Sequence, residues 1–355
     1  SAVIQNCTSV VQSSDAVDAL RKLDVFHANY VGGIAGYNNG VIRNDDATSI
    51  VVNVSGGSFV GGVTGYNDAH SQIINYGVGG GTVKGDGAYV GGFVGVNVSR
   101  DLFVDENENA HVIQSDPNSV VGDSFVGGTI GANLLLLDGG ITSPKEFVAS
   151  FSSDNFLGIV QANKFLAGGF IGYNQLLPED AVAPTLREKL EKVIITVKED
   201  DFGTFVPEKV EKLFYEKSSD QSTFAIQGTG GNQNTNAKFG GIESQIYVGG
   251  VIGYNHSETT LKVNNVINQS PVTATSSIKN DAEQSGNTYD DQAFTYSYAG
   301  GIIGKVGKKT TIDNCRNQDA GEVVTQGTYT GGICEVNEGT IQNCTVSSLG
   351  ETDHD

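Results

Sequence analysis

Apolar residues in this chain come in short clusters cut by glycine and closed by asparagine, and the fullest reads Tyr247-Val248-Gly249-Gly250-Val251-Ile252-Gly253-Tyr254-Asn255. The order is aromatic, small apolar, Gly, Gly, apolar, apolar, Gly, aromatic, Asn. It is too short and too glycine-rich for a helix and suits a strand with a bend that ends at a corner. Paired glycines let a backbone turn sharply or approach another backbone closely, and Asn tolerates left-handed geometry while bonding its own main chain. On this reading Gly250 takes a positive φ that valine cannot follow, whereas Gly286, in a polar stretch, tolerates the same change.

The cluster recurs. Close copies start at Tyr30, Phe59 and Tyr89, looser ones at Phe125 and Leu166, and two more at Tyr298 and Tyr329, with a further fragment at Phe239-Gly240-Gly241-Ile242. Between copies runs a weaker signature, a short strand ending in Asn: Val3-Ile4-Gln5-Asn6-Cys7, Val41-Ile42-Arg43-Asn44, Ile73-Ile74-Asn75, Thr311-Ile312-Asp313-Asn314-Cys315 and Thr340-Ile341-Gln342-Asn343-Cys344. Uninterrupted copies follow one another after about thirty residues, a period of repeat architectures. Stacked repeats place like over like about 4.8 Å apart, so corner Asn residues form amide ladders and the middle apolar positions form a thin continuous core.

The GG-x-x-G-Y-N unit followed by G-x-I-x-N-C resembles the GLUG-type repeats of large bacterial surface and secreted proteins, among them adhesins and regions upstream of the catalytic part in some immunoglobulin-A-cleaving peptidases. The resemblance covers most of the chain outside its insertions. It implies an all-β fold, a right-handed parallel β-solenoid of about eight repeats on the cell surface, and says more of architecture than of activity.

The repeats divide the chain into N-terminal repeats over 1–175, an inserted lobe over 176–224 and C-terminal repeats over 225–355. Apolar spacing after Ser13 predicts a short helix over 13–23. The polar stretch 101–117 and the run Leu134-Leu135-Leu136-Leu137 spread the next copies apart. In the lobe, Pro184–Val193 and Pro207–Phe214 place Pro near the start of charge-alternating amphipathic patterns and predict two helices, with Val193-Ile194-Ile195-Thr196-Val197 as a strand between them. The lobe is expected to project from the repeats and to be dispensable for their folding. Residues 276–292 read as a surface loop, and 351–355 as a frayed tail.

With 355 residues and 38% hydrophobic content the chain can bury a sizeable core. Length alone suggests two domains, but a repeat array grows by adding units. The net charge of −20 argues against nucleic acid or an anionic membrane as partner. No apolar run reaches membrane-spanning length, so membrane insertion is not expected. The chain starts without Met and in mid-motif, which reads as a piece continuing into other domains of a longer protein.

Cys7 is expected at the opposite end of a linear array from Cys315, Cys334 and Cys344, and Cys315 and Cys344 read as small stacked core residues rather than as a bridge. There is no C-x-x-C for zinc. Asp105, Glu106 and Glu108 offer the oxygen ligands calcium takes but lack the D-x-D-x-D-G spacing, and read as a solvated loop. No cofactor is expected.

The five histidines, His27, His70, His111, His256 and His354, fall in unrelated contexts and read as surface residues; H-E-x-x-H, G-x-S-x-G and P-loop motifs are absent from the sequence. Carboxylates one repeat apart are neighbours in a stack, so Asp45, Asp46, Asp68 and Asp86 are the candidates for a glycosidase pair. None is assigned as catalytic. The expected function is a non-enzymatic spacer and adhesive surface, extracellular or on the cell surface. Its insertions at 101–117, 176–224 and 276–292 would hold a host glycan or extracellular protein. A polysaccharide-active parallel β-helix and a purely structural stalk are the alternatives.

Overall fold

The computed structural model describes residues 2–5, 23–24, 29–103, 112–136, 145–152, 158–178, 181, 183–199, 210–219, 222–228, 235–237, 239–275, 297–319, 322–325 and 329–348. The chain is mostly β-strand with parallel pairing, gathered into sheets of nine, eight, seven, six and four strands. Each Gly-Gly copy but the last splits into two short strands in different sheets; the last has the strand Tyr329–Gly331 and then a single bridge from Cys334 to Ile303. Tyr247–Gly249 belongs to the eight-stranded sheet and Ile252–Asn255 to the seven-stranded one, with Gly250 and Val251 forming the bend. All eight copies supply a strand to the eight-stranded sheet, in the order of their sequence. The fragment at Phe239 is not a ninth copy. Gly241–Ser244 pairs within the nine-stranded sheet, which holds the stretches between copies.

The register is like on like. Val60 and Gly61 pair with Val90 and Gly91, and Tyr173 and Asn174 pair with Tyr254 and Asn255 across the inserted segment. The closing asparagines of the first six copies are buried and joined by their amides. Asn38 Nδ2 donates to Asn67 Oδ1 (2.8 Å), Asn67 to Asn97 (3.0 Å), Asn97 to Asn133 (3.0 Å), Asn133 to Asn174 (2.9 Å) and Asn174 to Asn255 (2.8 Å). Both amide ends also serve the turn that follows, as where Asn97 Nδ2 donates to Ser99 O and Asn97 Oδ1 accepts from Ser99 N–H. A buried amide left unpaired is costly, so each rung fixes the register of the next.

The paired glycines act by close approach rather than by positive φ. Gly81 is the one described glycine with φ in the left-handed region; in the Gly-Gly copies that region is taken by the leading aromatic, at Tyr30 (63°), Phe59 (56°), Tyr89 (66°) and Phe125 (57°). A Cβ on Gly249 would overlap the carbonyl oxygen of Ile252, and one on Gly250 would overlap Gly301 O and lie 2.5 Å from Asn268 Cγ. In the weaker signature left-handed Asn does appear, at Asn75, Asn314 and Asn343.

Two apolar clusters result. The first draws on all five sheets, with Ile42, Val60, Val94, Ile113 and Val266 among its members, and runs between them. The second lies along the motif aromatics. Tyr30 stacks on Phe59 at 4.4 Å between ring centroids, Phe59 on Tyr89 at 5.0 Å and Tyr89 on Phe125 at 5.1 Å; beyond the inserted segment Tyr247, Tyr298 and Tyr329 continue the column.

The inserted segment does not project away; it lies on this aromatic seam. Its helix α1 (Ala183–Glu199) buries Leu186, Leu190 and Val193 in the second cluster, and Tyr89 Oη donates to Leu190 O (3.3 Å). The expected strand at 193–197 is the last part of α1. The β-branched run favours a strand locally, but Val193 extends the face begun by Leu186 and Leu190, and burying that face against the seam decides the matter. Phe214 sits against Tyr89, Phe125 and Tyr173, with ring centroids at 6.2, 5.8 and 5.0 Å. The copies starting at Tyr89 and Phe125 carry Val96 and Ala132 where the copies on either side of them carry Tyr66 and Tyr173, so Phe214 fills the room they leave.

Leu134 and Leu135 are buried in the strand Ile130–Leu135 rather than in a spacer, and part of 101–117 is the strand Val112–Gln114. The expected helix at 13–23 falls almost wholly outside the described residues, as does the loop 276–292; of the second expected helix, 207–209 lie outside them, Val210 and Glu211 are helical, and the chain then turns.

Candidate functional site

The widest departure from short strands is the pair Gly40–Gly56 and Gln72–Gly85, whose register shifts between Arg43 and Thr48 and again between Ile50 and Val51. The first shift bulges the strand. Beyond it Thr48 faces Tyr76 and Ser49 faces Gly77. The next strand, Val112–Gln114, comes alongside through the bridge between Val78 and Ser115. Gly77 supplies no side chain here, and a Cβ on it would reach Gln114 Cβ (3.2 Å) and Ser49 Oγ (3.3 Å).

These strands enclose an open groove of ≈ 320 Å³ lined by Ala47, Thr48, Ser49, Ile74, Asn75, Tyr76, Gly77, Val112 and Gln114. Ser49 Oγ donates to Gln114 Oε1 (3.3 Å), and Gln114 Nε2 donates to Asp116 Oδ2 (3.1 Å). The lining thus presents hydroxyls, two amides, one aromatic residue and the exposed Val112. Hydroxyls and amides both give and accept hydrogen bonds, while Val112 and the Tyr76 ring offer apolar surface. None of the nine is a carboxylate, His, Lys or Arg, so the lining holds no group that moves a proton near neutral pH.

A second constellation has the composition of a serine–histidine–carboxylate triad. Ser218 Oγ lies 3.3 Å from His256 Nδ1, and His256 Nε2 lies 2.9 Å from Glu211 Oε2. Its wiring is structural. The Glu258 N–H donates to Nδ1 (3.2 Å), so the nitrogen facing Ser218 is already an acceptor and Nε2–H points to Glu211. Ser218 Oγ also pairs with Thr259 Oγ1 (2.8 Å), and both Ser218 and His256 are buried. Glu211 accepts from Tyr254 Oη (2.7 Å), Ser257 N–H (3.1 Å) and Ser257 Oγ (2.9 Å). Burial pushes the Glu211 carboxyl up, but the hydrogen bonds from His256, Tyr254 and Ser257 outweigh it and hold the group below its ordinary value. Glu211 and Ser218 come from the inserted segment and His256 to Thr259 from the turn after Asn255, so the cluster clasps one to the other. His256 is therefore not a surface residue. His70 is exposed, and His27, His111 and His354 lie outside the described residues.

The candidate carboxylates disperse. Asp45 and Asp46 are exposed within the first register shift, two and one residues before the groove-lining Ala47. Asp68 accepts from Tyr37 Oη, and Asp86 is 3.9 Å from Lys84 Nζ. Among the described residues no three His, Cys, Asp or Glu side chains gather as metal ligands do. Asp105, Glu106 and Glu108 are outside them. The groove was missed from the sequence; the one local signal that could have found it is the run Gly77-Val78-Gly79-Gly80-Gly81, which strips side chains from a strand and marks close backbone approach. Ser218 and Glu211 carried no such signal.

No family model matches the chain, and no curated protein or solved structure matches it either.

Proposed function

We propose that the chain is a right-handed parallel β-solenoid segment of a secreted or surface protein, built from GLUG-like repeats. It acts as a rigid spacer that holds a ligand on its side and is not an enzyme. Like-on-like register and the asparagine ladder support the rigidity, because bending the stack would break several buried amide pairs together. The observation that carries the binding role is the groove across three successive strands, whose lining is rich in hydroxyl and amide groups and holds no proton-transfer residue. Its size is at the lower end of small-ligand sites, about 300–1,000 Å³. A hydroxyl-rich ligand such as an oligosaccharide suits that chemistry. Val112 and Gln114 come from the 101–117 insertion, so loop and scaffold share the site.

A glycan array probed with and without calcium tests this reading, followed by the same screen on Gln114→Ala and Tyr76→Ala. The expected outcome is selective binding that each substitution weakens about tenfold, the loss of one good polar or stacking contact. Cleavage of a bound polysaccharide that a single Asp→Asn change abolishes would overturn it.

A further inference from the structure

The two last Asn-Cys corners lie side by side. Asp313 pairs with Gln342 and Arg316 with Thr345 in parallel register, and Thr345 N–H donates to Cys315 O over 3.0 Å. Cysteines bracketed in this way have Cα atoms about 4.8 Å apart, within the range of about 4.4–6.8 Å that a disulfide spans. Asn314 and Asn343, just before them, both have left-handed φ (49° and 54°), so the cysteines leave their corners in the same direction. Their sulfurs sit alike: Cys315 Sγ lies 3.3 Å from Asp313 O and Cys344 Sγ 3.1 Å from Gln342 O, and the Cys315 thiol donates to the Cys344 sulfur. Cys315 is buried while Cys344, on the last repeat, is partly exposed. Reagents in solution therefore meet Cys344 first.

We propose that Cys344 and Cys315 form a thiol–disulfide couple, Cys344 the attacking sulfur and Cys315 the resolving one, whose oxidation bonds the last repeat covalently to the one before it. The oxidant is a small-molecule disulfide. The Cys344 thiolate attacks one of its sulfurs, forming a mixed disulfide and expelling a thiolate. Cys315 then loses its proton to that thiolate or to water and attacks Cys344 Sγ, and the second small thiolate leaves. Two protein thiols give up two electrons and two protons, and the small disulfide takes both.

The local chemistry favours this order. The hydrogen bond from Cys315 draws the Cys344 thiol below its ordinary value, while that same bond and burial push Cys315 up. Cys334 is the nearby competitor, but it bridges to Ile303 on another wall, and burial pushes its thiol up to about 12.

The test treats the reduced whole chain with oxidised glutathione, digests it without reductant and maps linked peptides by mass spectrometry. The expected product joins Cys315 to Cys344. Cys315→Ser should trap glutathione on Cys344, Cys344→Ser should leave Cys315 unmodified, and iodoacetamide should label Cys344 at a pH below the ordinary thiol range of about 8.5. Comparison of oxidised with reduced wild-type chain needs no substitution: proteolytic loss of the last repeat should slow about tenfold on oxidation and recover with dithiothreitol. A bond from Cys344 to Cys334 or Cys7 would overturn the proposal, as would four thiols that all remain titratable after oxidation.

Discussion

The interior column of asparagines and glycines and the outer column of aromatics run along the same repeats, yet they are stabilised differently. Inside, the first six copies carry the same residue and are completed by their neighbours: Asn133 bonds Asn97 and Asn174 whether the intervening chain is 36 or 41 residues long, and Asn174 reaches Asn255 across 81. Outside, the positions vary, and the middle of the seam is completed by Phe214 and α1, which belong to no repeat. At the ends the seam is open to solvent, with Tyr37 36% and Tyr329 39% exposed. A column that pairs with itself tolerates insertions between its members. One that needs a cover depends on a particular segment being there.

The inner column should break hardest. Gly250→Val places a branched side chain against Gly301 O and Asn268, neither of which can move without dislodging a rung. We expect a loss of at least about 4 kcal/mol, beyond usual overpacking, read as a lower midpoint in urea unfolding. A melt unchanged within error would mean that the repeats are not packed backbone to backbone. The outer column should yield next, with Phe214→Ala costing about 3–4 kcal/mol as a buried ring between three others is removed. If that figure falls below the cost of Tyr329→Ala, the cover does not stabilise the seam. Asn133→Ala, which leaves the partner amides of Asn97 and Asn174 each short of a bond, should cost about 1–3 kcal/mol; hydrogen exchange should quicken in the flanking strands rather than throughout.

Two glutamates titrate the two regions in opposite senses. Glu211, in the clasp under the cover, has its folded value below the usual 4.5, so the stability it contributes is present above that pH and is lost as pH falls through the folded value. Glu335 stands where the last copy should have its third glycine. Its oxygens are buried with no hydrogen-bond partner among the described residues, and burial, partly offset by Lys305, raises it to about 8. Its contribution is present below 4.5 and lost as pH rises through about 8. Hydrogen exchange across this range should show the clasp at 211–218 loosening in acid and the last repeat loosening in base. Both regions loosening in the same direction would contradict the assignment. Tyr329→Ala, at the open end of the seam, should cost least, about 0.5 kcal/mol or less.

The inner column was legible because its rule is local and repeated. The same residue order in successive copies puts Asn over Asn and Gly over Gly whatever length of chain lies between. The left-handed aromatics were not, since a large side chain at positive φ is disfavoured in isolation and is held there by stacking on its neighbours. Nor was the cover. Tyr89 and Leu190 meet across 101 residues of sequence, and nothing near either names the other. The run from Val193 to Val197 shows the same limit, its strand preference being overridden by a surface that exists only after the repeats have stacked. The groove stands between these cases. Its glycines are a local signal left unused in the reading of the sequence, and Gln114 and Val112 join it only through a register shift two strands away.

The most direct test of self-completing interior and cover-dependent seam is to replace residues 178–219 with a short Gly-Ser linker and follow circular dichroism, dye binding and association state together. The account predicts that the β signal and exchange protection at Asn133, Asn174 and Asn255 persist, while helical signal is lost and the uncovered seam binds hydrophobic dye and self-associates. A monomer that binds no dye and melts as the intact chain does would contradict it, and so would loss of the β signal itself.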